Sequence, residues 1–128
     1  MEVQIKEGKP LLTTSILTRS GIEPRQFLID TGCTMSLVFT AMDNTCLREF
    51  SFTGIEALDP NEWIQVADGR KVSTFKATAF LNISGQLEEV ESLIIEGKPD
   101  FPIIGMEFLE QNRKRLVLDF AEHDFQLI

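Results

Sequence analysis

The stretch Phe27-Leu28-Ile29-Asp30-Thr31-Gly32-Cys33-Thr34-Met35-Ser36-Leu37-Val38 decides how this chain is read. Three large apolar residues run straight into a carboxylate, turn-forming residues follow, and apolar character returns at Leu37. Burying an ionised carboxylate is costly unless hydrogen bonds or an opposite charge compensate it, so an Asp at the end of an apolar strand needs an explanation. Thr31 and Gly32 offer one: backbone N–H groups of a tight loop can donate to the carboxylate, and glycine lets another backbone approach closely. Taken alone, Asp-Thr-Gly is also a short turn in which the Asp only caps the reversal.

Outward from this segment the helical period is scarce. Apolar runs of about four to eight residues, bounded by turn residues, dominate, which is the pattern of a small all-β barrel or sandwich forming one domain over residues 1–128. The spacing predicts strands at 11–18, 25–29, 63–66, 71–82, 88–95, 116–120 and 124–128. Asp68-Gly69 and Ser84-Gly85 read as hairpin tips whose glycines supply a positive φ. Between Thr40 and Pro60, with Asn44 and Gly54, the pattern loosens into loop with at most a helical turn. One helix is predicted over 106–113, with Met106 and Leu109 facing a core and Glu107, Glu110 and Arg113 facing water.

A second segment, Phe101-Pro102-Ile103-Ile104-Gly105-Met106-Glu107-Phe108-Leu109, joins two branched apolars and a glycine to that helix, and its glycine again permits close backbone approach. Order and spacing together resemble the retropepsin-like aspartic proteases: an apolar strand, Asp30-Thr31-Gly32 with Thr34 and Ser36 after it, a flap hairpin around Val66, Ala67, Asp68 and Gly69, then Ile103-Ile104-Gly105 opening a helix before a late strand. The resemblance spans residues 11–120 and implies a small closed β-barrel of the acid-protease type with a flap hairpin and one short C-terminal helix. Cys33 stands where that family most often has alanine, and Met106 where its retroviral members have a bracing arginine. The chain also continues past Phe120 with Ala121 to Ile128, so the family's dimer-forming terminal strand is expected to be arranged differently here.

The resemblance further implies an aspartic endopeptidase that needs no cofactor or metal. Such proteolysis requires two carboxylates sharing one proton and one water, since one acts as base while the other acts as acid. This chain has a single Asp-Thr-Gly and no Asp-Ser-Gly, so the mechanism demands a homodimer in which Asp30 faces its twin. On that reading Thr31 braces the opposing loop, Gly32 lets the loops meet, Ile103, Ile104 and Gly105 support the cleft, and the hairpin closes over a peptide or protein substrate. The alternative is a non-catalytic retropepsin-like dimerisation or peptide-binding module, because fold does not fix function. A third possibility is a small-ligand barrel in which Asp30 is a turn cap and Trp63 and the phenylalanines line a pocket.

Composition narrows the partners. The 128 residues are 43% hydrophobic and 25% charged, ordinary values for a globular domain. A net charge of −8 repels phosphate backbones and anionic lipid, so neither nucleic acid nor membrane is expected as a partner. The run Arg113-Lys114-Arg115 is expected to complement the end of the predicted helix. Two cysteines, Cys33 and Cys46, and one histidine, His123, cannot build a disulfide framework or the usual structural zinc site. Cys46 reads as a buried thiol and His123 as part of a solvated turn. The acidic group Glu88, Glu89 and Glu91 reads as an exposed hairpin edge. Neither a signal peptide nor a membrane span is expected, and the setting is expected to be cytoplasmic with reduced thiols.

Overall fold

The computed structural model describes residues 1–41, 45–57, 64–65, 71–72, 74–83, 85–97 and 100–128. In chain order the elements are β1 (Val3–Lys6), β2 (Lys9–Thr18), β3 (Gly21–Ile29), β4 (Leu37–Ala41), α1 (Thr45–Glu49), β5 (Thr53–Ala57), β6 (Ile64–Gln65), β7 (Lys71–Val72), β8 (Thr74–Ile83), β9 (Gln86–Glu96), β10 (Ile103–Ile104), α2 (Met106–Gln111), β11 (Leu116–Asp119) and β12 (Asp124–Leu127). Six of them close into a barrel in the order β2-β3-β10-β4-β9-β8, sealed where Ile16 of β2 pairs with Leu81 of β8. β1 and β5 extend the sheet outside the ring.

Alternation explains why the closed form is stable. Leu12, Ile16, Phe27, Ile29, Leu37, Phe39, Ala79, Leu81 and Ile94 form the buried inner face, while their strand neighbours alternate to the other face, where Leu11 and Val38 are buried as well. Phe39 sits at the centre of an aromatic group, 5.1 Å from both Phe50 and Phe52 and 6.5 Å from Phe27, ring centroid to centroid. The helical turn read between Thr40 and Pro60 is α1, which carries the buried Cys46 into this core.

Several expectations need correction. The helix stops at Gln111, not Arg113, because Asn112 leaves helical torsions and Arg113 takes a positive φ of 50°. The basic run thus follows α2 instead of filling its last turn. Phe108 and Leu109 are its buried residues, while Met106 and Glu107 are half-buried. The strand from Leu116 ends at Asp119, whose Oδ1 accepts the Ala121 and Glu122 N–H groups at 3.1 Å and turns the chain before Phe120 can extend it. The single run predicted over 71–82 is two strands, β7 and β8, in different sheets.

Gly85 has the positive φ, 90°, expected of the β8–β9 hairpin. Glu88, Glu89 and Glu91 are exposed on the part of β9 that pairs with β8 alone, since β4 covers only Ser92 to Glu96. Among the described residues no helix is long and apolar enough to cross a membrane.

Candidate active site

The site is built where β10 slips between β3 and β4. β10 runs parallel to β3, with Ile103 opposite Leu28 and Ile104 opposite Ile29, and antiparallel to β4, with Ile103 opposite Val38 and Ile104 opposite Leu37. Leu28 N–H donates to Pro102 O at 2.8 Å and Asp30 N–H donates to Ile104 O at 2.9 Å, so the main chain is held on both sides of the apolar-to-acidic step. Past Asp30 the chain folds back on itself: Cys33 N–H donates to Asp30 O at 3.1 Å, and Gly32 N–H donates to the carboxylate Oδ1 at 2.9 Å. One of the two loop donors anticipated from sequence is therefore in place.

A second pair of hydrogen bonds ties the returning loop to the later segment. Gly105 N–H donates to Ser36 O at 2.9 Å, and Met106 N–H donates to Cys33 O at 2.7 Å. The contact is tight enough to exclude a side chain at Gly105, where a Cβ would overlap the Met35 carbonyl oxygen and lie 2.8 Å from that of Cys33. The torsions of Gly105, φ −103° and ψ −175°, are open to any residue, so the requirement for glycine is one of space.

Asp30 is half-buried, while Thr31, Gly32 and Thr34 are exposed and Cys33 and Met35 half-buried. Ser36 is buried, and its Oγ has no hydrogen-bond partner among the described residues. Its link to the site is its carbonyl, which sequence reasoning did not foresee. Ile104 and Gly105 are buried and Ile103 half-buried. Val66, Ala67, Asp68 and Gly69, the expected flap tip, lie outside the described residues, as does Trp63. The strands next to that tip do pair, with Ile64 opposite Val72 and Gln65 opposite Lys71.

The structure thus brings Asp30 through Ser36 together with Ile103 through Gly105. The backbone groups of Pro102 and Met106 join them, and neither was signalled by the sequence, since a main-chain donor or acceptor leaves no trace in residue type. Chemically, a carboxylate with one oxygen on a main-chain N–H can accept or hold a proton beside a water. It cannot act as acid and base in the same step.

Elsewhere the candidate groups are inert or solvated. Burial pushes the Cys46 thiol up to about 11, which keeps it protonated and a poor nucleophile. His123 is exposed in a turn, its ring 6.4 Å from that of Phe125. A cavity of about 680 Å³ lies on another flank of the barrel, lined by residues that include Arg25, Cys46, Glu49, Phe50 and Phe101, and not by Asp30 or its loop. There the Glu49 and Glu23 carboxylates, at 3.0 and 2.9 Å, hold the Arg25 guanidinium above its usual range. Among the described residues no group of three or more His, Cys, Asp or Glu could hold a metal ion.

A small closed barrel with an Asp-Thr-Gly loop strapped to an apolar-apolar-glycine segment is the retropepsin-like fold. Solved structures agree. EIAV protease, determined in complex with the inhibitor HBY-793, superposes with a TM-score of 0.57 at 20% identity, over 84% of this chain and 93% of that one. A retropepsin-like aspartic protease from Rickettsia conorii superposes with a TM-score of 0.54 at 16% identity, over 93% of this chain and 85% of that one. No family model and no curated protein sequence matches the chain.

Proposed function

We propose that this protein is an aspartic endopeptidase active as a homodimer, hydrolysing peptide bonds with a water held between the Asp30 carboxylates of two copies. The observation that carries the reading is the way Asp30 is presented: its main chain is fixed by Ile104, its Oδ1 by Gly32, and the loop that follows is strapped down on Gly105 and Met106. That is a large structural investment for a turn cap, and it leaves Thr31 and Gly32 exposed, where a second copy can reach them. Met106, in the place of a bracing arginine, cannot make that residue's side-chain ion pair, and the loop is held here by main-chain bonds, among them Met106 N–H to Cys33 O.

In this reading the Asp30 carboxylate of one copy deprotonates the lytic water as it attacks the scissile carbonyl carbon. Its twin protonates the carbonyl oxygen, and no covalent intermediate forms. Thr31 hydrogen-bonds to the opposing loop and Gly32 gives the two loops room to meet. An extended peptide lies as an added strand beneath the hairpin built on β6 and β7, held by main-chain hydrogen bonds with its side chains in alternate pockets. Two carboxylates so close favour sharing one proton, which is the recognised behaviour of aspartic-protease pairs, so activity is greatest at mildly acidic pH. Each copy carries −8, and this mutual repulsion also weakens as the solution is acidified. The reading places the enzyme in the cytoplasm, with both thiols reduced.

The test compares wild type with Asp30→Asn for cleavage of a denatured protein mixture at mildly acidic pH, with and without a statine-type transition-state analogue. Wild type is expected to cleave and to be blocked by the analogue, while Asp30→Asn folds and does not cleave. Equal cleavage by both removes the protease reading. Inactivity in both, with pairing intact, turns the assignment to a peptide-binding module of the same fold.

A further inference from the structure

The ring of strands closes, but not along its whole height. β10 fills the space between β3 and β4 with two residues only, and beyond its N-terminal end the ladder stops on both sides. On the β3 side, Leu28 and Asp30 direct their N–H groups to Pro102 O and Ile104 O, so Gln26 and Pro24, in the same phase, face the same way. The next donor to Gln26 O would come from Pro102, which has no N–H. On the β4 side, Ser36 O accepts the Gly105 N–H and Ile103 stands opposite Val38, which brings Thr40 into register to face Phe101. Phe101 N–H goes instead to Asp100 Oδ1 at 2.7 Å. Among the described residues, the main-chain groups of Gln26 and Thr40 therefore have no partner across this gap.

The gap opens into the cavity of about 680 Å³, a volume typical of a small-ligand site. Both sides of the wall line it: Phe39 and Phe50 are buried, while Thr13, Gln26 and Thr40 belong to the more accessible side. Its chemistry divides the same way. Inside, the Phe39 and Phe50 rings offer apolar surface. At the rim three carboxylates, Glu23, Glu49 and Asp100, stand against one guanidinium, Arg25, which Glu23 and Glu49 hold between them. Arg25 Nη1 also donates to Pro24 O at 2.9 Å, and Pro24 has no N–H, so the free edge of β3 ends there.

We propose that this gap is a second peptide site, a slot that takes a short, basic, extended segment as a strand continuing the line of β10, parallel to β3 and antiparallel to β4. Unpaired main-chain groups on both flanks call for a peptide backbone, which offers its N–H and C=O groups to each side in turn. Alternation sends one side chain inward to Phe39 and Phe50 and its neighbours outward to the rim. The inward residue is then aromatic or aliphatic, and the flanking residues are cationic to complement the excess of carboxylates. Pro24 at one end and Pro102 at the other limit the segment to about three residues. Neither Asp30 nor its loop lines the slot, and the inference does not depend on the pairing of Asp30.

The test uses the full chain as Asp30→Asn, so that no probe is cleaved. Two further proteins add Gln26→Trp, which fills the slot, or Asp100→Asn, which removes a rim charge and keeps an oxygen for the Phe101 N–H. Four capped peptides are titrated: acetyl-Lys-Phe-Lys-amide, acetyl-Glu-Phe-Glu-amide, acetyl-Lys-Ala-Lys-amide, and the first of these N-methylated at its phenylalanine. Amide NMR reads both affinity and location, and circular dichroism checks each fold.

Acetyl-Lys-Phe-Lys-amide is expected to bind with a dissociation constant below about 1 mM, to shift the Gln26 and Thr40 amides and to protect them from hydrogen exchange. The acidic and alanine peptides should bind more than about tenfold more weakly, and the N-methylated peptide more than about fivefold. Asp100→Asn should weaken the basic peptide by about two- to fivefold, and Gln26→Trp should abolish its binding. An excess of the statine-type analogue should leave it in place.

Absence of saturable binding up to about 10 mM overturns the proposal. So does a peptide that the analogue displaces, or whose shifts gather around Asp30, because it then lies in the cleft. Equal binding of the N-methylated peptide refutes the strand pairing, and equal binding of the acidic peptide refutes the choice of occupant. Should Gln26→Trp fail to fold, the N-methylated peptide and Asp100→Asn still decide the outcome.

Discussion

Replacing Gly105 with alanine isolates the strap that holds the Asp30 loop. The added Cβ overlaps the Met35 carbonyl oxygen and sits 2.8 Å from that of Cys33, and both are backbone atoms that cannot rotate aside. Relief requires the loop to lift off β10, which endangers the Gly105–Ser36 and Met106–Cys33 hydrogen bonds. Overpacking of this kind costs ~1–3 kcal/mol. Two strained or broken hydrogen bonds add ~1 kcal/mol each. The expected loss is thus about 3–5 kcal/mol, a large share of the roughly 5–15 kcal/mol that holds a domain together. For a chain of this size it should lower Tm by roughly 10–20 °C. Gly32→Ala is the contrast: its Cβ would lie 3.2 Å from Asp30 Oδ1, a side-chain atom that can move, so stability should change by less than about 1 kcal/mol. Urea unfolding followed by circular dichroism measures both. A Gly105→Ala protein within about 0.5 kcal/mol of wild type would refute the claim that glycine is required here for space.

Two further outcomes follow from buried groups. Ser36→Ala removes a hydroxyl that is buried without a partner among the described residues while keeping the carbonyl that Gly105 uses, so stability should stay level or rise by up to ~1 kcal/mol; a loss above about 1 kcal/mol in urea unfolding contradicts the placement of that oxygen. With its thiol pushed up to about 11, Cys46 carries about a hundredfold less thiolate than an unburied cysteine at the same pH, so native labelling near pH 8 should modify Cys33 and spare Cys46. Because the fold favours the neutral thiol, its contribution to stability is complete below the ordinary thiol range. It is lost as pH climbs toward 11, a trend that Cys46→Ala should flatten in unfolding measured across that range.

The parts of the barrel that could be read from sequence were those with a dense apolar signal. β2, β3, β9 and β12 come from runs in which branched or aromatic residues recur, and their ends fall within a few residues of expectation. β5 gave no signal because every one of its residues, Thr53 to Ala57, is exposed; it is held by pairing to β8, and no inward face is written into it. β1 alternates Val3 and Ile5 with charged or polar neighbours over only four residues, too short a pattern to predict a strand from. α2 was placed correctly at its start and overrun at its end, where a residue in left-handed torsions, Arg113, stands in place of the usual glycine.

At the candidate site the Asp-Thr-Gly triplet was legible because its residue types are the message, and the close approach at Gly105 was legible from the glycine. What that glycine approaches was not. The carbonyls of Cys33 and Met35 belong to a distant part of the chain, and main-chain acceptors are the same for every residue type.

The position of β10 also sets an order of events. This two-residue strand is inserted between β3 and β4, and it arrives after most of the chain has been made. Contacts between residues so far apart in sequence form late in folding, because the entropy of closing the intervening loop is spent before they return anything. A nascent chain on the ribosome thus carries its acidic loop untethered until the Ile103-Ile104-Gly105 segment has emerged and docked. A truncated copy ending before that segment would keep the triplet and lack the latch. Under the proposed function, this late-docking segment then acts as a safety catch on the acidic loop.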